Sequence, residues 1–478
     1  MEENLKHKTV VSTVWASIQQ FGRMGIAFIG NIVLARLLMP EDYGTIGMLA
    51  IFMAVANVFI DSGLGNALIQ RKEANEVDFS TIFFFNLGMS VFLYFLLCLF
   101  APRIARFYDT DILVDLLRIY GLVLIVNALS IIQSTRLRKQ LDFKTAAIST
   151  LIANVVCTIV GIYMAYRGFG VWSLVVMYLV EAVVRTVLLW FQCKWMPKLA
   201  FSIKSLLSLF KYGGFLLANS LLYTLRRNVL SMVLGKLYTA RDLGMYSQAK
   251  KLEDVPVTGI SSVIEQVSFS VFSELQDDAE RFKLMQQRSL KILAFICFPL
   301  MFLMMVVAEP LIVFLFTEKW IEAVPYLQVL CFMGIAVCLQ PVNANVVNAM
   351  GYSGLFFKWS VYKTIIMFVF IWVGSYWGIF GLLTAFVAYN VVAYIISAVL
   401  AERFTHYTLW QQIKDMMPIM LISLFIAIGV WFVQYFVHSY IALLVIQLVL
   451  YAALFMGVYY LIDKSMLIDI VSMVKRKR

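Results

Sequence analysis

The sequence predicts an all-α polytopic membrane protein with about fourteen transmembrane helices, in two six-helix parallel-repeat lobes followed by two C-terminal helices. Composition is the first indication: 62% of the 478 residues are hydrophobic and 14% are charged. Soluble proteins have about 45–50% apolar and about 25% charged residues. Apolar runs such as TIFFFNLGMSVFLYFLLCLFA (81–101) are long enough for a spanning helix and lack the alternation of a β-barrel strand.

Each predicted helix is an apolar run bounded by charged residues or by glycine and proline. In the first half, the runs lie near 10–34, 45–70, 79–101, 112–134, 146–166 and 172–193. In the second half, they lie near 207–235, 245–272, 290–316, 322–349, 355–375 and 379–401. Two more runs, near 414–437 and 441–462, complete the set.

Lysine and arginine predict the orientation, because these residues are retained on the cytoplasmic side of a membrane. With the N-terminus inside, the cytoplasmic segments hold most of the 39 Lys and Arg residues, including Arg136, Arg138 and Lys139 in one loop. Both termini are therefore predicted to be cytoplasmic. The final KRKR (475–478) is expected to rest near anionic headgroups, which accounts for part of the +11 net charge without nucleic acid.

A weak internal repeat predicts the lobes. LARLLMPEDYGTIG (34–47) aligns with LGKLYTARDLGMYS (234–247), so that Asp42 meets Asp242 and Gly44 meets Gly244. A duplicated unit of about 200 residues with six helices keeps the same orientation in both copies, as in parallel-repeat transporters. We therefore predict an N-terminal lobe at 1–200 and a C-terminal lobe at 201–405. Helices 13 and 14 and a basic cytoplasmic tail follow at 406–478.

Signatures of catalysis are missing from the sequence. There is no GxxxxGK[ST], no HExxH and no nucleophile elbow. Glu41 and Asp42 lie where a membrane glycosyltransferase could place a carboxylate, but Asp42 and its repeat partner Asp242 both precede a helix and are expected to cap it. The sequence predicts no catalytic residue, no metal and no cofactor, and it does not predict an enzyme.

Two adjacent arginines interrupt an apolar helix. LLANSLLYTLRRNVLSMVL (216–234) carries Arg226 and Arg227 near its centre, where one arginine costs about 2.5–3.5 kcal/mol on insertion scales. Arg227 shares a helical face with Ser220 and Thr224. Such a stripe should face the interior of the bundle, because lipid would leave it unpaired. A structural bond to backbone carbonyls is the alternative.

Other charges lie in predicted spans. Arg23 lies on a polar side of helix 1, and Asp61 is a candidate coupling group or counter-ion in helix 2. Helix 8 carries Lys250 and Lys251, which Glu253 and Asp254 could partly neutralise. For Lys363, binding and snorkelling to the interface are equally open. Two same-helix pairs, Glu181 with Arg185 and Asp115 with Arg118, are expected to be structural.

A cavity with more cationic than anionic groups would suit an anion. Guanidinium groups match phosphate oxygens, and removal from water strengthens each contact. The expected cargo is a phosphate or pyrophosphate whose apolar tail stays in the lipid. A sugar acid would serve equally well.

Three stretches resemble the polysaccharide biosynthesis/transport family, which includes Wzx-type O-antigen flippases and colanic-acid-type exporters of the multidrug/oligosaccharidyl-lipid/polysaccharide superfamily. They are LARLLMPEDYGTIGMLAIF (34–52), DSGLGNALIQRK (61–72) and LGMYSQAKKL (243–252). The resemblance implies a V-shaped fold and translocation of undecaprenyl-pyrophosphate-linked oligosaccharide to the outer leaflet of the bacterial inner membrane. It also implies that Arg23, Arg226, Arg227, Lys250 and Lys251 receive the pyrophosphate. Relatives often carry an Asp where this chain has Leu230.

The leading hypothesis is a flippase for surface polysaccharide (O-antigen, capsule or exopolysaccharide) that works by alternating access. Its partners would be the lipid-linked oligosaccharide, membrane lipids, and polymerase and chain-length proteins of the same pathway, with no nucleic acid. Two alternatives stay open: a cation-coupled multidrug antiporter of the same superfamily, which should favour acidic cavity residues, and a membrane glycosyltransferase or polymerase.

Overall fold

The computed structural model describes residues 2–61, 63–71, 73–276 and 278–462, and all regular structure in these residues is helical. The chain divides into two compact units, an N-terminal unit (Met1–Gly244) and a C-terminal unit (Met245–Arg478). The KRKR segment lies outside the described residues. Its place at the membrane and the orientation of the termini therefore stay predictions.

Eight helices lie within the N-terminal unit. They are α1 (Glu2–Leu37), α2 (Pro40–Asp61), α3 (Leu64–Gln70), α4 (Glu76–Tyr108), α5 (Leu113–Lys139), α6 (Phe143–Tyr166), α7 (Val171–Cys193) and α8 (Ile203–Leu237). The unit boundary falls inside the next helix, α9 (Ala240–Glu274). Because α8 packs against α2, α3 and α4, this compact unit extends beyond residue 200. The predicted lobes concern sequence duplication and stay a prediction.

Seven more helices follow in the C-terminal unit. They are α10 (Ala279–Val306), α11 (Ala308–Phe316), α12 (Val324–Ala349), α13 (Ser353–Gly374), α14 (Gly378–Thr405), α15 (Leu409–Trp431) and α16 (Tyr440–Ile462). Short 3-10 turns at Glu318–Ala323, Ser375–Trp377 and Phe432–Tyr435 lead into or out of these helices.

Ten segments of the described residues are long and apolar enough to cross a membrane, and one of them, Gly354–Thr405, comprises both α13 and α14. The membrane class is thereby confirmed. Three long helices, α1, α8 and α9, are not among these segments. These three helices carry five of the predicted cationic site residues and are more polar than the ten segments. The five residues are Arg23 in α1, Arg226 and Arg227 in α8, and Lys250 and Lys251 in α9. The number of crossings stays a prediction.

Two predicted spans are each divided into two helices. The span 45–70 breaks where α2 ends at Asp61 and α3 begins at Leu64, and Gly63 between them adopts φ 66°. That left-handed conformation costs glycine little and stops the helix. The span 290–316 breaks at Val307, which lies between α10 and α11. The sequence carries polar or helix-breaking residues at both places, IDSGLGN at 60–66 and VVAEPL at 306–311, but the flanking apolar runs led to a single predicted span in each case.

A cluster of charges and rings fixes α3, α4 and α5 to one another. Arg136 Nη1 lies 2.7 Å from Glu76 Oε1, and its guanidinium lies over the ring of Trp195 at 5.5 Å. Trp195 Nε1 donates to Glu76 Oε2 at 2.6 Å. Lys139 Nζ donates to the carbonyl oxygens of Leu68 (2.9 Å) and Arg71 (2.6 Å), which satisfies acceptors at the end of α3. These basic residues therefore have structural contacts in addition to their predicted topogenic role.

Repeat-related glycines meet where α2 and α9 begin. A methyl group added at Gly44 would lie 1.7 Å from the carbonyl oxygen of Ala240, and one added at Gly244 would lie 1.9 Å from that of Pro40. Small residues at such a crossing let two backbones approach closely. We name these four residues the glycine contact. The same turns are capped by aspartate, because Asp42 Oδ2 accepts from the N–H of Met39 at 3.0 Å.

A buried polar network joins four helices of the C-terminal unit. Gln286 of α10 donates to Asn343 of α12 (2.8 Å), and Asn343 donates to Gln412 of α15 (3.1 Å). Tyr394 of α14 donates to the same Gln412 oxygen at 2.7 Å. Gln286, Asn343 and Gln412 are fully buried, where an unpaired amide would be costly. The network therefore fixes α15 to α10, α12 and α14. We call it the amide network.

Candidate functional site

The two arginines of α8 differ in their surroundings. Arg226 is half-buried and makes no hydrogen bond or ion pair with any residue that the structure describes. Arg227 is exposed, and its Nη1 donates to the hydroxyl of Tyr223 at 3.3 Å. Leu230, one turn further along the helix from Arg226, is 1% exposed in the apolar core. A positive charge therefore lies in an apolar stretch of α8 with no carboxylate at residue 230.

Arg23 and Asp61 also lie in the N-terminal unit. Arg23 is exposed on α1, which packs along α6, and one turn away Gln19 Nε2 donates to Thr150 Oγ1 at 3.0 Å. The positive charges of Arg23 and Arg138 both act on Arg185 of α7, and that of Arg138 also acts on Asp61. Four helices thus bring charged groups into one region of this unit. Arg138, which the sequence assigned to a loop, takes part.

The predicted lysines lie in the C-terminal unit and have polar neighbours. Lys250 forms an ion pair with Glu253 and another with Asp254, the latter at 2.9 Å. The Glu253 side chain is fully buried, so the pairing foreseen from the sequence neutralises much of this charge. Lys251 is exposed on the same helix. Lys363 of α13 donates to Ser397 of α14. A ligand-binding role for these lysines stays a prediction.

A partly open cavity of about 190 Å³ lies in the N-terminal unit and is lined by α2, α5 and α7. We call it the lobe cavity. Its lining consists of Met53, Asn57, Tyr120, Val123, Asn127, Tyr178, Glu181, Ala182 and Arg185. On each helix these residues recur at spacings of three, four or seven positions, apart from the adjacent Glu181 and Ala182, so they lie along one face. The sequence did not predict this cavity, although the polar members recur at helical spacing inside apolar spans.

Arg185 bonds across the cavity wall, not along its own helix. Its Nη2 donates to Asn127 Oδ1 on α5 at 2.8 Å. The interaction predicted with Glu181 is less direct: the two side chains form no close ion pair, but the charge of Glu181 acts on Arg185, and Glu181 makes no hydrogen bond to any described residue. The Arg185 guanidinium donates to the side-chain oxygen of Asn127 and not to Glu181. The Glu181 carboxylate lines the cavity. By contrast, the predicted Asp115–Arg118 pair forms at 3.7 Å.

Comparison with known proteins adds a family and a fold. A family model described as "Polysaccharide biosynthesis protein" matches residues 33–325. The lipopolysaccharide biosynthesis protein WzxC of Escherichia coli (strain K12) is 26% identical over 88% of this chain and 88% of its own length. The teichuronic acid biosynthesis protein TuaB of Bacillus subtilis (strain 168) is 30% identical over 64% of this chain and 63% of its own.

The fold is that of a solved membrane transporter. The lipid II flippase MurJ, in an inward closed conformation, superposes with a TM-score of 0.75 over 93% of this chain and 98% of its own. Its sequence is 17% identical, so the likeness concerns the fold alone. The all-helical transporter architecture expected from the sequence is thereby confirmed.

Proposed function

The chain belongs to the polysaccharide biosynthesis protein family, and on that premise we propose that it is a flippase for undecaprenyl-pyrophosphate-linked oligosaccharide repeat units. It would move these units across the bacterial inner membrane by alternating access, for surface polysaccharide assembly. The proposal is supported by the name of the relative WzxC and by the fold shared with a lipid II flippase. It describes a transporter and not an enzyme.

The observation that carries the proposal is Arg226. A half-buried guanidinium in an apolar helix, with no hydrogen bond or ion pair among the described residues, needs a partner in the membrane. A pyrophosphate esterified at both ends offers several oxygens and two negative charges to a planar guanidinium, so it suits an arginine better than a neutral headgroup does. We assign the anionic head of the substrate to Arg226, with Arg227 beside it.

The remaining predicted residues take supporting roles in this proposal. Arg23 would extend the cationic surface, and Asp61 would serve as its counter-ion or as a coupling group. Lys251 and Lys363 would bind the head at other stages, and Lys250 would do so after release from its acidic partners. Two six-helix lobes, 1–200 and 201–405, would rock during transport, while 406–478 would add two helices and a cytoplasmic tail.

Reconstituted transport tests the proposal. The full chain is placed in liposomes with undecaprenyl-pyrophosphate-linked oligosaccharide, and arrival of the glycan in the other leaflet is measured. The Arg226→Ala/Arg227→Ala variant should lose transport by tenfold or more, since each charge-assisted hydrogen bond contributes about 1.5–3 kcal/mol. Arg103→Ala/Arg106→Ala is the matched control, because these two arginines are exposed near the end of α4 and should tolerate the change.

Two results would contradict the proposal. Equal transport by the native chain and by the Arg226/Arg227 variant, at equal protein levels, would remove the assigned role of the pair. If the native chain moves no lipid-linked oligosaccharide with any glycan or ion gradient, the flippase proposal itself fails. Export of a cationic dye in that case would favour the antiporter.

A further inference from the structure

Two tyrosines in tilted contact form one wall of the lobe cavity. The rings of Tyr120 on α5 and Tyr178 on α7 lie 5.3 Å apart between centroids, with 31° between their planes. Both residues line the cavity and are half-buried. Val123 and Met53 continue the apolar surface beside them. This wall therefore offers aromatic surface to an occupant of the cavity, and tyrosine combines such a surface with a polar tip.

The same cavity carries donors and acceptors that the protein does not use. Asn57 donates to the carbonyl of Met53 at 2.8 Å, which leaves its Oδ1 without a partner among the described residues. Asn127 accepts from Arg185, which leaves its Nδ2 without one. The Glu181 carboxylate and the hydroxyls of both tyrosines likewise make no hydrogen bond in the described part of the chain, although the charge of Glu181 acts on Arg185. Unused polar groups in a half-buried site indicate a polar occupant.

The charges of the lining residues limit which class of molecule can occupy the cavity. One carboxylate, that of Glu181, and one guanidinium, that of Arg185, line the cavity, so their formal charges cancel. An anion would be attracted by Arg185 but repelled by Glu181, and a metal cation would be attracted by Glu181 but repelled by Arg185. A neutral molecule with hydroxyl groups meets neither penalty, because a hydroxyl can donate to the carboxylate and accept from the amide.

We propose that the lobe cavity binds one neutral pyranose ring of the transported oligosaccharide. A pyranose presents C–H groups on its faces and hydroxyls around its edge, which matches a tyrosine wall bordered by Asn57, Asn127 and Glu181. This inference rests on the proposed flippase function. It adds a glycan-recognition site within the N-terminal unit that is separate from the arginines assigned to the pyrophosphate.

Sugar binding by the intact chain tests the proposal directly. The native protein in lipid nanodiscs is titrated with methyl β-D-glucopyranoside, methyl β-D-galactopyranoside, N-acetyl-D-glucosamine and D-glucuronic acid, and saturation transfer from the protein to each sugar is measured by NMR. At least one neutral sugar should bind. Tyr178→Ala and Glu181→Gln should each weaken that binding about tenfold, and Tyr178→Phe should weaken it less because the ring remains.

Tyr163→Ala is the matched control, since Tyr163 is exposed on α6 outside the cavity. The inference is overturned if none of the neutral sugars binds the native chain, or if Tyr178→Ala and Glu181→Gln bind them as the control does. It is also overturned if only glucuronic acid, or only Na⁺ monitored by ²³Na relaxation, responds to Glu181→Gln.

Transport measured on the same preparations separates this inference from the flippase proposal. Native transport without sugar binding would refute the cavity assignment and leave the flippase standing. Sugar binding that depends on Tyr178, in a chain that transports no lipid-linked oligosaccharide, would support the cavity and refute the flippase.

Discussion

Replacing Gly44 by alanine should separate the first turns of α2 and α9. The added methyl carbon would lie 1.7 Å from the Ala240 carbonyl oxygen, and real Cβ atoms essentially never lie within 3.0 Å of such an atom. The two helix ends must therefore move apart by about 1.3 Å, the difference between these distances. The obstacle is backbone, so no side-chain rotation can relieve it. Gly244→Ala should act in the same way through Pro40.

Insertions of this kind into a packed site cost about 1–3 kcal/mol, and in a domain of 150–250 residues each kcal/mol lowers the melting temperature by roughly 2–4 °C. Unfolding of the full chain in nanodiscs, followed by tryptophan fluorescence, should show a decrease of this order for Gly44→Ala. Gly88→Ala is the control, because a methyl group there meets nothing within 4 Å. Equal melting temperatures for Gly44→Ala and Gly88→Ala would show that the glycine contact is not needed for stability.

Two further predictions concern the C-terminal unit. Asn343→Leu should lower the melting temperature by several degrees, because both glutamine partners lose a hydrogen bond in the interior at about 1–3 kcal/mol each. Gln447→Leu is the control and should leave stability equal or higher, because Gln447 is a buried amide with no hydrogen bond among the described residues. A lower melting temperature for Gln447→Leu than for Asn343→Leu would refute the reasoning. Burial and the hydrogen bond to Asp415 raise the pKa of Tyr407. The folded state therefore keeps this proton more firmly than the unfolded state, so stability should fall as pH rises above about 10. Tyr407→Phe should reduce that slope in pH-dependent unfolding, and an unchanged slope would exclude Tyr407 as its source.

The helices could be predicted from the sequence because their signal is local. An apolar run of spanning length can be recognised without knowing the tertiary structure. The Asp115–Arg118 pair can be predicted in the same way, because its partners lie one turn apart on one helix. Gly63 was harder to interpret, since a glycine inside an apolar run interrupts some helices and not others. Only its backbone conformation decides the matter.

The lobe cavity could not be predicted, because it depends on which helix faces face each other. Glu181 and Arg185 have ideal spacing for a pair on α7, and pairing was the natural interpretation. Asn127 on α5 competes for the guanidinium, and a single sequence does not reveal that α5 and α7 are neighbours. For the same reason, Arg138 was predicted only to be a basic residue of a cytoplasmic loop, and its action on Arg185 and Asp61 was missed. The contacts between helices are therefore the part of the site that could not be predicted from this sequence.

The amide network has a consequence for biogenesis. Residues reach the membrane in chain order, so α10 and α12 are present before α15 has been synthesised. Gln286 and Asn343 can bond to each other at that stage, while Gln412, whose oxygen accepts from both Asn343 and Tyr394, is still absent. Arrival of α15 supplies this acceptor and completes the amide network. A nascent chain that stops before Leu409 would thus contain Gln286, Asn343 and Tyr394 without Gln412. These incompletely bonded polar side chains would distinguish it from the finished protein.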